Sequence, residues 1–247
     1  MQPEPEIDET LIPEPVPEPP PARSDRELWL EVVAVVFIGV LPDLWNTVGY
    51  LVTKPAGPHS FNAHEAYLVF RSVQVSWLVL YLVSRSQEPW SRFGIVQPRL
   101  IRDSLAAFGA LMAAYFGYAI YASMAMAAFS TEAVRQDTSH LTELFQAPTV
   151  PEQTLLVIVA AALNGFAEEL VMRGYLIPRF EHLLGSTAKA VVLSALLFAS
   201  YHFYQGFFGA GSALVIGLVF GTIFGWTRRL WPVAAAHALL DISSRLG

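Results

Sequence analysis

The sequence predicts an all-α fold, a polytopic bundle of about seven transmembrane helices. Three observations predict it. The 247-residue chain is 54% hydrophobic with a positive mean hydropathy. Its apolar residues fall in runs of ~20, the length that crosses a ~30 Å hydrocarbon core. Most of these runs carry no polar face, which a helix at the surface of a water-soluble core would need.

Residues 1–26 are of a different kind. Proline and acidic residues dominate, as in Pro3-Glu4-Pro5-Glu6 and Pro13-Glu14-Pro15. Such a segment has almost nothing to bury and is expected to be a disordered, partly polyproline-like tail. It lacks the basic start and central apolar stretch of a signal peptide. The membrane-embedded domain is expected over 27–247.

The formal charge of −6 owes much to this tail, and nothing in the chain resembles a nucleic-acid-binding surface. The chain has no cysteine, so disulfides, cysteine-ligated metals and a thiol nucleophile are excluded.

Hydropathy places the first span at about Leu28–Val52, interrupted at Pro42-Asp43. The second covers about Ala66–Val83 and the third about Leu105–Phe129. The fourth begins near Glu152, and the fifth runs over about Lys189–Tyr204. The sixth covers about Ala213–Trp226 and the seventh about Trp231–Ile242. Gly217, Gly221 and Gly225 give the sixth a small-residue stripe, which predicts close packing on a core helix.

Arginine and lysine in the loops predict orientation. Arg85, Arg92, Arg99 and Arg102 lie between spans two and three, Arg179 and Lys189 around the turn between four and five, and Arg228-Arg229 between six and seven. With Arg23 and Arg26 they point to a cytoplasmic N-terminus, against Lys54, Arg135 and Arg245 on the other side.

The fourth span concentrates the chemistry, in Asn164-Gly165-Phe166-Ala167-Glu168-Glu169-Leu170-Val171-Met172-Arg173. An ionised side chain at the bilayer centre costs about 2.5–3.5 kcal/mol on insertion scales, so such residues face a bundle interior or a wet cavity and are functional by default. Adjacent helical residues point about 100° apart, so the two glutamates have different roles. Glu169 and Arg173, four apart, suit an ion pair. Glu168 has no local cation. If the chain reverses at Gly185-Ser186, an antiparallel helix pair brings Glu168 level with His202. Span seven presents His237 and Asp241 on one face. A carboxylate near histidine in a low-dielectric pocket suits a general base that activates water, with His237 and Asp241 stabilising an oxyanion. The alternative is a divalent metal held by Glu168, His202, His237 and Asp241, a donor set that suits zinc. Glu31, Asp43 and Arg71 read as snorkelling or locally solvated, and His64-Glu65 as membrane interface.

These residues carry a resemblance. Glu168-Glu169-x-x-x-Arg173, Phe198-x-x-x-His202 and His237-x-x-x-Asp241, in order over about 154–244, resemble the three motifs of the CPBP membrane proteases. That family takes in the type II CAAX prenyl endopeptidases, bacteriocin-processing and self-immunity proteins, and the Abi proteins. The resemblance implies an intramembrane endopeptidase at the cell membrane, acting on a membrane-anchored protein or peptide. Glu168 would activate water with His202 assisting, His237 and Asp241 would bind the oxyanion or a metal, and Glu169 and Arg173 would shape the site. The last motif position is usually asparagine or aspartate; an aspartate needs a proton or a metal to serve an oxyanion. The family has been described both as metalloproteases and as metal-independent glutamate proteases, so the cofactor is either a divalent metal such as zinc or none. A catalytically silent scaffold or self-immunity factor of the same fold is the alternative function. A transporter would call for an internal repeat, and none is evident.

Overall fold

The computed structural model describes residues 23–53, 60–139, 141 and 147–246. Nearly all of the expected tail, and Lys54, lie outside the described residues. The described part is helical: α1 (Asp25–Gly39), α2 (Leu41–Thr53), α3 (Phe61–Arg85), α4 (Leu100–Phe129), α5 (Thr131–Thr138), α6 (Pro151–Glu169), α7 (Ile177–Leu184), α8 (Thr187–Ser200), α9 (Gly206–Thr227) and α10 (Leu230–Leu246). Between α6 and α7 the chain stays helical but widens into a π-helical segment, Leu170–Leu176.

Local chemistry sets the boundaries. Ser24 and Glu27 form a capping box at the start of α1, three residues before the start expected from hydropathy. The first span breaks at Val40, and Pro42 falls in the first turn of α2, where its missing N–H leaves no helical bond unmade. Gly185 ends α7 in the left-handed region, and the Ser186 side chain caps α8.

Among the described residues five stretches are long and apolar enough to cross a membrane: Asp25–Gly49, Phe61–Arg85, Leu100–Phe129, Pro151–Leu184 and Phe203–Thr227. The protein is a multi-pass membrane protein. Two of the expected spans fall short of that length. Helix α8 has 14 residues and α10 has 17, or ~21 and ~26 Å at 1.5 Å per residue. Large apolar side chains such as Phe37, Phe70, Trp77, Phe108, Phe116 and Trp226 stay exposed on the helices, as a lipid-facing surface requires.

Helix α6 lies between α3 and α10, and α9 packs on α8 and α4. The π segment is wholly buried, and Leu170, Val171, Met172, Tyr175 and Leu176 join the main core. The glycine stripe of α9 meets α8 as expected: a Cβ on Gly217 would come within 3.2 Å of Ala195 Cα.

One end of the bundle is ionic. The Glu88 carboxylate is shared by Arg179, Arg92 and Arg23, which come from α7, the turn after α3 and the segment before α1. Tyr175 Oη donates to Glu31 at 2.7 Å, Arg228 grips Glu181, and Arg229 holds Asp103 through two bonds of 2.7 Å. Arginines from separate loops thus gather at one end of the helices. Glu31 belongs to this network, which corrects its reading as a snorkelling side chain.

Candidate active site

At the end of α6 the two adjacent glutamates turn different ways. Glu169 is fully buried. Its Oε1 lies 2.8 Å from Arg173 Nη1 and 2.8 Å from His237 Nδ1. Glu168 lines a cavity of about 1000 Å³. Its Oε2 is 3.3 Å from His237 Nε2, and Tyr201 Oη donates to its Oε1 at 3.4 Å. Both nitrogens of His237 therefore face carboxylates, with Asp241 Oδ1 a further neighbour of Nε2 at 3.6 Å. Asn164, one turn before Glu168, lines the same cavity as Asp241.

Helix α10 reaches α6 this closely because of Gly165. A Cβ there would stand 2.8 Å from the backbone nitrogen of Ala238, next in sequence to His237. The π segment needs its own support, because widening a helix disrupts the regular i→i+4 bonding. Ser194 Oγ, from α8, donates to Met172 O at 2.8 Å, the kind of side-chain repair that lets membrane helices depart from regular geometry. Arg173 is held from three sides: Glu169, the Gly217 carbonyl at 3.3 Å, and the face of Phe198, 4.8 Å from its guanidinium carbon.

His202 lies in the turn after α8 and lines the same cavity. Its Nδ1 is 2.7 Å from the Phe198 carbonyl oxygen. A carbonyl can only accept, so Nδ1 carries the proton and Nε2 is the basic nitrogen of the neutral ring. The cavity thus gathers Glu168, His202, His237 and Asp241, while Glu169 and Arg173 sit behind it.

The direct meeting of Glu168 with His202 is not what the fold provides. Glu168 engages His237 and Tyr201 instead. Depth inferred from equal residue counts about Gly185 assumes regular α-helix on both sides, and the π segment on one side breaks that assumption. Two other readings change. Arg71 is buried and pairs with Asp43 at 3.3 Å, so it does not snorkel, whereas Asp43 is partly exposed in the cavity wall, which fits the local solvation expected of it. Glu65 is fully buried and paired with Arg245, which ties the start of α3 to the end of α10. Tyr201 and Gly165 were missed as site residues. A glycine one turn from a glutamate in an apolar helix is the signal for Gly165; Tyr201 has none beyond its place beside His202.

Among the described residues no three His, Asp or Glu side chains converge as a metal site. His237 Nδ1 is committed to Glu169, and the Glu168 and Asp241 carboxylates lie 3.3 and 3.6 Å from its Nε2.

Residues 150–243 match the Rce1-like family, described as type II CAAX prenyl endopeptidase Rce1-like. The Rce1-like stretch runs from the start of α6 through most of α10. It contains Glu168, Glu169, Arg173, His202, His237 and Asp241 and leaves out α1 to α5. Neither a curated protein nor a solved structure matches the chain.

Proposed function

We propose that the protein is an intramembrane endopeptidase that hydrolyses a peptide bond of a membrane-anchored protein or peptide. The observation that carries this reading is Glu168: a carboxylate in a membrane helix, facing a cavity it shares with His202 and His237, within a stretch that matches a family of peptidases.

In this reading a water molecule lies between Glu168 and His202. Glu168 takes a proton as the water oxygen attacks the carbonyl carbon, with His202 Nε2 as the second acceptor. His237, oriented by its Nδ1 bond to Glu169, serves as an imidazolium and donates its Nε2–H to the oxyanion as charge develops. Asp241, 3.6 Å from Nε2, offsets the positive charge of the ring, and Tyr201 holds Glu168. The proton on Glu168 then passes to the leaving amine, which departs as the C–N bond breaks. Glu169 and Arg173 keep the imidazole in place. The N-terminus is assigned to the cytoplasm by the arginine bias, in the cell membrane.

The test compares newly formed peptide termini in membranes holding wild type or Glu168→Ala at matched levels. Termini that depend on Glu168 identify the activity and its substrate together. Identical termini, with both proteins inserted and a substrate-bearing host, would leave the silent scaffold as the function.

A further inference from the structure

Arg71 has an environment that the proposed hydrolysis does not use. It projects from α3 into the wall of the cavity that holds Glu168 and is only 8% exposed. Among the described residues its one ion-pair partner is Asp43, which meets Nη2 at 3.3 Å, and Nε and Nη1, withdrawn from solvent, have no hydrogen-bond partner. A charge-assisted hydrogen bond of good geometry is ~2.7–2.9 Å long, so the Asp43 contact is a loose one. Leaving guanidinium donors buried and unpaired is unfavourable, and a second anion would relieve it.

We propose that Arg71 is the subsite for a carboxylate on the substrate, which takes Arg71 over from Asp43. This rests on the peptidase reading above. The planar guanidinium matches a carboxylate in shape as well as charge. The other titratable groups around the cavity argue for the same position. Glu168, Asp241 and Asp43 repel an anion, and Arg245 is committed to Glu65. Asp43, Arg71 and Glu168 line one cavity, so a carboxylate at Arg71 shares that cavity with the proposed reacting bond. Either the α-carboxylate of a peptide end or an acidic side chain close to the cleaved bond supplies this chemistry.

The test is a binding measurement that needs no turnover. Full-length protein in nanodiscs is offered a library of N-decanoyl tripeptides with free C-terminal carboxylates, and the same library as C-terminal amides. Wild type retains the acids over the amides by on the order of 10-fold, the scale of one charge-assisted bond. Arg71→Gln loses that preference, Asp43→Asn strengthens it by removing the competitor, and Glu168→Gln keeps it. Retention of amides only when they contain Asp or Glu assigns the side chain as the source. Equal retention of acids and amides that lack Asp and Glu, no retention at all, or a loss in Asp43→Asn matching that in Arg71→Gln overturns the proposal; the last makes the pair purely structural. Thermal melting establishes that each variant is folded, and Arg71→Lys, which keeps the charge but not the fork, serves if Arg71→Gln is not. A preserved acid preference without Glu168-dependent cleavage keeps the subsite and removes the peptidase.

Discussion

Glu169 Oε1 accepts a 2.8 Å hydrogen bond from His237 Nδ1 across the interface of α6 and α10. The same oxygen lies 2.8 Å from Arg173. One buried carboxylate therefore holds the imidazole that faces the cavity and neutralises the guanidinium behind it. The second glutamate of the pair is part of the framework, and the first is left to the cavity.

Glu169→Ala leaves Arg173 buried beside Phe198 without its counter-charge. Removing one partner of a buried pair costs about 3–5 kcal/mol. The variant is expected to melt well below Glu168→Ala in detergent, with both compared by thermal unfolding. Equal melting of the two would show that Glu169 has no greater structural role than Glu168.

Gly165→Leu forces a side chain against the backbone of Ala238. Overpacking costs about 1–3 kcal/mol, and moving α10 outward separates His237 from both glutamates. Lower thermal stability together with loss of Glu168-dependent cleavage is expected. Gly109, whose Cβ would meet nothing within 4 Å, is the control position and should accept alanine silently.

Ser194→Ala removes the donor to Met172 O. Leaving a buried carbonyl unpaired costs about 1–3 kcal/mol. Thermal unfolding should register this, and Ser194→Thr, which keeps the hydroxyl, should recover most of it.

Glu88 gives a pH dependence outside the spans. Burial works to raise its pKa, but the bond from Arg179 and the charges of Arg179 and Arg92, with a further bond from Arg23, hold it below the ordinary carboxylate value. A group depressed in the folded state adds stability above its unfolded pKa and loses it as the pH falls through the folded one. Melting temperature should therefore fall on acidification below the ordinary glutamate range, and Glu88→Gln should flatten that fall. An unchanged acid limb in Glu88→Gln would assign it to other carboxylates.

The helical class and most spans were legible because a run of ~20 apolar residues has few other uses. The Glu169–Arg173 pair was legible because it is four residues long in one helix. What spacing could not reveal came from irregular backbone and from contacts between distant segments. The widening at Leu170–Leu176 alters the register on which the Glu168–His202 pairing depended. Arg71 looked like a span-end charge and Asp43 like one solvated at the Pro42 break, because their partner relation crosses from α3 to α2. Glu65 looked interfacial for the same reason, since its partner Arg245 is 180 positions away. Pro42 marked the break in the first span but placed it two residues late, because proline is at home inside the first turn of the helix that follows.

The cavity and the ionic cluster occupy different halves of the bundle. The cavity wall draws on the start of α3, the turn at Tyr201–Gln205 and the end of α10, and none of Glu31, Glu88, Arg179, Arg228 or Arg229 lines it. The molecule is therefore sided. If the proposed hydrolysis holds, one compartment would supply water and collect what is released, while the other faces a plug of paired charges. Insertion direction would then be part of specificity, because the same chain placed the other way round would serve a different set of molecules.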